Sequence, residues 1–148
     1  MGQITFNDIP KGMFEHLRNI EDFSNSFTLP FSLLELIRLR VSQINACAYC
    51  VDMHHKELKA AGESELRLAT LVVWEEMDVF TDQEKTTLAF AEKVTRVEKI
   101  PNSLFEKLEN FYSKEEIAML SLVVTQINTW NRLMRTFEFK AGEYEVSN

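Results

Sequence analysis

The sequence predicts an all-α fold, and three observations carry that prediction. Only four Gly and three Pro punctuate the 148 residues, few turn formers for a chain of many short strands. No segment alternates apolar and polar residues as a half-buried strand does. Apolar residues recur instead at helical spacing, between recognisable cap signals. A hydrophobic content of 45% is enough for one buried core, so a single domain over residues 1–148 is expected.

Taken in order, residues 1–30 show no clean period and read as an irregular N-terminal arm. Phe6, Phe14, Phe23 and Phe27 would anchor it to the body or to a neighbouring subunit. After Pro30, "FSLLELIRLRVSQI" puts Leu34, Ile37, Val41 and Ile44 on one helical stripe. A second helix runs from Cys47 to "KAAG", where Gly62 is a natural stop. A third begins at the cap Ser64 with Leu66, Ala69, Leu71 and Val73 as its apolar content. Thr81 with Glu84, and Ser113 with Glu116, form capping boxes that open two further helices. Between them Pro101 begins a short helix through Leu104, Phe105 and Leu108. The charged run Glu92 to Lys99 reads as a solvated helix face.

Composition narrows the function. A net charge of −7 and a pI near 5.0 argue against nucleic acid or an anionic membrane as partner, since both attract basic patches. No apolar stretch is long enough to span a bilayer, and no basic segment leads into an apolar one, so a cytoplasmic location is expected. In that reducing compartment two cysteines make a poor structural staple, and a bridge over so short a loop constrains the unfolded chain little.

An internal repeat is the most informative feature. "VSQIN" at Val41 to Asn45 recurs as "VTQIN" at Val124 to Asn128, an offset of 83 residues. The same offset pairs Leu34 with Ile117, Ile37 with Leu120 and Leu39 with Leu122. Two helix-turn-helix units are therefore expected, a first copy over 31–62 and a second over 113–142. At this offset Cys47 faces Trp130, Cys50 faces Leu133, His54 faces Phe137 and Glu35 faces Ala118. The first copy carries reactive groups where the second is inert, so packing alone does not demand them.

On a helix starting near Cys47, positions i, i+3 and i+7 fall in a stripe roughly 60° wide, which gathers Cys47, Cys50 and His54 on one face. The first turn of that helix offers unpaired N–H groups that lower a thiol pKa from about 8.5 toward about 3.5–7.5. Glu35 reaches this face only if the two helices pack antiparallel across Asn45-Ala46, and burial there is expected to raise its pKa. Three readings follow. Cys47 and Cys50 are a redox pair with Glu35 and His54 as proton relay; or Cys47, Cys50 and His54 hold zinc, with Glu35 or His55 as fourth ligand; or the cysteines only pack. Structural zinc normally stabilises modules that lack a core, which this chain has. His55 and His16 read as solvated, and Tyr49 as either a packing residue or a hydroxyl at the rim of the site.

Glu35, Cys47, Cys50 and His54 at this spacing, followed by "KELKAAG", resemble the alkylhydroperoxidase AhpD and carboxymuconolactone decarboxylase family. The downstream "LVVTQINTWNRL", with Asn128, Asn131 and Arg132, extends the resemblance over most of Phe31 to Phe137. The resemblance implies an AhpD-like helical fold and a thiol-dependent alkyl hydroperoxide reductase that needs no cofactor. Cys50 would attack a small peroxide, Cys47 would resolve, and Glu35 with His54 would relay protons. It also implies an external dithiol reductant, a lipoyl or thioredoxin-like protein, and a homo-oligomer, trimeric or hexameric. Tyr49 departs from the pattern, standing where AhpD proper has a second histidine. A low-turnover redox sensor or disulfide-exchange protein would use the same residues and stays open as an alternative.

Overall fold

The computed structural model describes residues 2–148, which form seven α-helices and no strand. They are α1 (Met13–Asn25), α2 (Phe31–Ile44), α3 (Ala48–Ala60), α4 (Glu65–Thr70), α5 (Asp82–Thr95), α6 (Asn102–Glu109) and α7 (Lys114–Phe137). Short 3₁₀ turns cover Phe6–Asp8 and Leu71–Glu76. The all-helical expectation holds, and both capping boxes form: Thr81 with Glu84 opens α5, and Ser113 with Glu116 opens α7.

The centre of the molecule is α2, which is buried on every side rather than along one stripe. Leu34, Ile37 and Val41 pack against Phe90 of α5 and against Ile117, Leu120 and Val124 of α7. On its other side, Leu36 and Leu39 meet Leu58 of α3, Leu71, Trp74 and Leu88. Each fully buried Leu or Ile contributes about 1.5–3 kcal/mol, so α2 is the most firmly held element and a stable mount for polar groups. It carries two buried charged residues, Glu35 and Arg38.

Four sequence expectations need correction. The first thirty residues are not irregular throughout, since α1 occupies Met13–Asn25. Met13, Phe14, Leu17 and Ile20 recur at helical spacing and turn partly inward, and polar contacts tie the helix to α7: Gln126 Nε2 donates to the Leu17 carbonyl at 3.1 Å, and Trp130 Nε1 donates to Glu21 at 2.8 Å. Of the four phenylalanines, Phe14 packs near Trp130 while Phe23 stands 60% exposed.

The third predicted helix stops early, at Thr70, and tightens into the 3₁₀ turn. A period near three then aligns Leu68, Leu71 and Trp74 on the core, leaving Leu66 and Val73 exposed. The segment Glu92 to Lys99 is not simply a solvated face. Glu92 is buried and accepts from Arg40 Nε at 2.7 Å and from Trp74 Nε1 at 2.9 Å.

The second copy is not a helix-turn-helix, because α7 runs unbroken through the position of the α2–α3 turn. In the first copy the chain breaks at Asn45–Cys47, with the Cys47 N–H on the Ser42 carbonyl and the Ala46 N–H on that of Gln43. This is a Schellman ending, and it holds Ala46 at φ 51°, a left-handed conformation that normally calls for glycine. The same ending closes α3, where Gly62 supplies the residue as expected, at φ 94°. The repeated pentapeptides face each other: Asn45 Nδ2 donates to Asn128 Oδ1 at 2.9 Å and to Asn131 Oδ1 at 3.0 Å.

Candidate functional site

The α2–α3 turn builds the site. Cys47 is the residue that caps α3, its Sγ accepting from the Cys50 N–H at 3.3 Å. One helical turn brings Cys50 back over it, with a Cα–Cα separation of 5.3 Å, and the two are joined as a disulfide. Both sulfurs are buried against Met134 and Phe137 of α7. The helix then doubles back along α2, and His54 meets Glu35.

Glu35 sits between two partners. Its Oε2 lies 2.7 Å from His54 Nδ1, and its Oε1 accepts from Arg38 Nη1 at 2.8 Å. Arg38 reaches on toward Ser24 of α1, Nη2 to Oγ at 3.5 Å. The antiparallel packing on which the Glu35 expectation depended is thus present, but the expected direction of its pKa is reversed. Burial pushes the carboxyl up; His54 and then Arg38, by charge and hydrogen bond, more than offset it and hold it below its ordinary value. Glu35 is therefore a lasting negative charge that fixes the tautomer and orientation of His54, leaving the imidazole Nε2 for exchange.

Beside these groups lies a cavity of about 220 Å³, whose reactive wall carries Arg38, Tyr49, Cys50 and His54. Cys47 does not line it. The opposite walls are largely aromatic: Phe14, Trp130 and Phe139, with Phe6 stacked on Phe139 at 4.3 Å between ring centroids. Glu21 and Arg18 of α1 complete the lining.

The structure brings all four sequence-predicted residues, Glu35, Cys47, Cys50 and His54, into one locus. It does not gather a zinc ligand set: among the described residues, no group of three or more His, Cys, Asp and Glu side chains is placed to hold a metal. His55 is half-buried rather than fully solvated, and His16 is exposed. Sequence reasoning missed Arg38, although its position three residues after Glu35 on a helix was a usable signal. It also missed Glu21 and Trp130, which meet only through tertiary packing and left no local signature.

The site is thus a Cys-x-x-Cys disulfide beside a buried Glu–His pair on an all-helical scaffold, the AhpD-like helical fold. The sequence pattern of the carboxymuconolactone decarboxylase family matches residues 13–93, over half of the chain, and the protein belongs to that family. It is 34% identical over 126 residues to the uncharacterised protein YdfG of Bacillus subtilis, covering 84% of this chain and 85% of YdfG. A crystal structure from Agrobacterium tumefaciens, of a protein of unknown function provisionally named the antioxidant defence protein AhpD, superposes with a TM-score of 0.90. Identity to it is 34%, with 97% of this chain and 100% of that one covered. An uncharacterised peroxidase-related protein from Ralstonia eutropha, with an alkylhydroperoxidase AhpD core, shares the fold at 21% identity and a TM-score of 0.79. That match covers 88% of this chain and 70% of the other. No helix among the described residues is long and apolar enough to cross a membrane.

Proposed function

We propose that the protein is a thiol-dependent hydroperoxide reductase. The observation that carries this reading is the unequal placement of the two sulfurs: Cys50 lines the cavity together with His54, and Cys47 lies behind it at the cap of α3. In the reduced protein the Cys50 thiolate attacks the terminal oxygen of the peroxide and the O–O bond breaks. His54, oriented by Glu35 and carrying on Nε2 the proton taken from the Cys50 thiol, gives that proton to the departing alkoxide, so that Cys50 becomes a sulfenic acid and the substrate leaves as an alcohol. The Cys47 thiol then attacks the Cys50 sulfur, releasing water and forming the disulfide seen here. An external dithiol, a lipoyl or thioredoxin-like protein of the cytoplasm, reduces it by exchange and is itself oxidised. No cofactor is required.

Steady-state consumption of an organic hydroperoxide with a dithiol reductant tests the reading. Sustained turnover is expected. A single equivalent of peroxide consumed per chain, with no further turnover in excess dithiol, would favour the sensor or disulfide-exchange alternative. A homo-oligomer is also proposed, supported by the exposure of Phe23, Leu66, Val72 and Val73. Light scattering that finds only monomer at micromolar concentration would remove it.

A further inference from the structure

The mechanism above leaves a half-buried charged side chain of the cavity wall unused. Glu21 lines the same cavity from α1, and its two carboxylate oxygens are treated differently. One accepts the indole N–H of Trp130 at 2.8 Å. The other, Oε2, is buried and meets no donor from the protein. Arg38 does not supply one, being engaged by Glu35 and Ser24. A buried carboxylate oxygen that meets no protein donor calls for a partner from outside the chain, and in a cavity of this size the donor group of a ligand can supply it.

From this arrangement we infer that the cavity selects an aromatic substrate carrying an O–H or N–H donor, and that Glu21 is the acceptor that recognises it. The walls fix the rest of the class. A volume of about 220 Å³ exceeds the roughly 150 Å³ that accommodates benzene, which suits one substituted ring. Phe14, Trp130 and Phe139 offer ring faces and edges to it. The donor engages Glu21 while the reacting group lies toward Cys50 and His54, so the ring is held at both ends. Under the peroxidase reading, on which this inference rests for its chemistry, the substrate is an aryl hydroperoxide with a phenolic hydroxyl or ring N–H remote from the O–O bond. Recognition by a buried acceptor discriminates strongly, because a ligand without the donor leaves that acceptor unpaired.

The test uses 4-ethylphenol and 4-ethylanisole, which differ by the donor, titrated calorimetrically into the oxidised full-length protein. The phenol is expected to bind at least about tenfold tighter than the anisole, as a charge-assisted hydrogen bond gives. In Glu21→Gln the Trp130 N–H still needs an acceptor and takes the amide oxygen, which turns the amide N–H₂ toward the free position. The preference should then fall away or invert in favour of the anisole. Equal affinities in the wild type, no binding of either compound, or an unchanged preference in a folded Glu21→Gln protein would each overturn the inference. Binding to the disulfide form needs no turnover, so a failure of the peroxidase reading registers separately, in the peroxide assay.

Discussion

The segment α2–α3 and the helix α7 begin as near copies and end as opposites. Both carry the same apolar register into an Asn that meets its counterpart across the molecule. One then turns at Ala46 and folds back; the other continues straight to Phe137. The fold-back sets Cys47 at a helix start and carries His54 to Glu35. The straight continuation places Trp130, Met134 and Phe137 against the sulfurs and the cavity. Under the proposed reading the second copy is inert in chemistry yet forms the wall that the chemistry works against. The gathering of Cys47, Cys50, His54 and Glu35 comes from one local break in a helix, which costs a left-handed alanine of roughly 1–2 kcal/mol and is repaid by packing α3 along α2.

The sharpest way to break this comparison is at the sulfurs. Cys50→Ser is expected to abolish peroxide reduction altogether, with no sulfenic acid trappable by dimedone, because a serine hydroxyl is not ionised near neutrality. Cys47→Ser should react once and stop: its Cys50 sulfenic acid persists, takes dimedone, and over-oxidises in excess peroxide. Mass spectrometry reads both outcomes. Dimedone on Cys47 in the Cys50→Ser protein, with none on Cys50 in the Cys47→Ser protein, would exchange the two roles.

The next effect lies at Glu35. Glu35→Gln keeps the volume but removes the charge that orients His54, and a loss of about 10²–10⁴-fold in turnover is expected from a proton-transfer pair of this kind. Stability should respond to pH as well. The folded pKa of Glu35 is depressed, so its contribution is complete above the unfolded carboxyl value of about 4.3 and is lost as pH falls through the lower, folded value. Denaturant unfolding at pH 7 and near pH 3 should therefore show a smaller acid loss in Glu35→Gln than in the wild type. An unchanged rate in the variant would take Glu35 out of the mechanism.

How far the sequence reached can be judged from particular residues. Leu34, Ile37 and Val41 announced α2, and the Thr81 and Ser113 boxes announced α5 and α7, because these signals are local: a period or a cap a few residues long. The Cys–Cys–His face of α3 was legible for the same reason. The complete burial of α2 was not, since Leu36 and Leu39 form a second apolar face that becomes evident only once α3 and Trp74 cover it. The pKa direction of Glu35 was inverted because the expectation allowed for burial and not for the opposing charge and hydrogen bonds of His54 and then Arg38. The straightness of α7 escaped because the turn in the first copy rests on a left-handed Ala46, a residue that gives no turn signal. Glu21 and Trp130, far apart in the chain, could not have been paired by any spacing rule.

The smallest expected effect is the most direct measure of how far the copies have diverged. At the repeat offset Glu35 corresponds to Ala118, and the sequence invites the reading that an alanine at one shows what the other position tolerates. The environments say otherwise: Glu35 is buried between Arg38 and His54, while Ala118 is exposed on the first turns of α7. Glu35→Ala strands the buried Arg38 charge beside His54, and removing one member of a buried pair costs about 3–5 kcal/mol. Ala118→Glu should be nearly silent. It places a carboxylate in solvent in the second turn of α7, where the helix dipole acts only weakly and the lost alanine propensity costs roughly a few tenths of a kcal/mol. The net change is expected within about 0.5 kcal/mol, as for surface substitutions generally. Urea unfolding of the two single variants reads the contrast directly. A loss above about 1 kcal/mol in Ala118→Glu would mean that this face of α7 is covered in solution, most simply by a second copy of the chain.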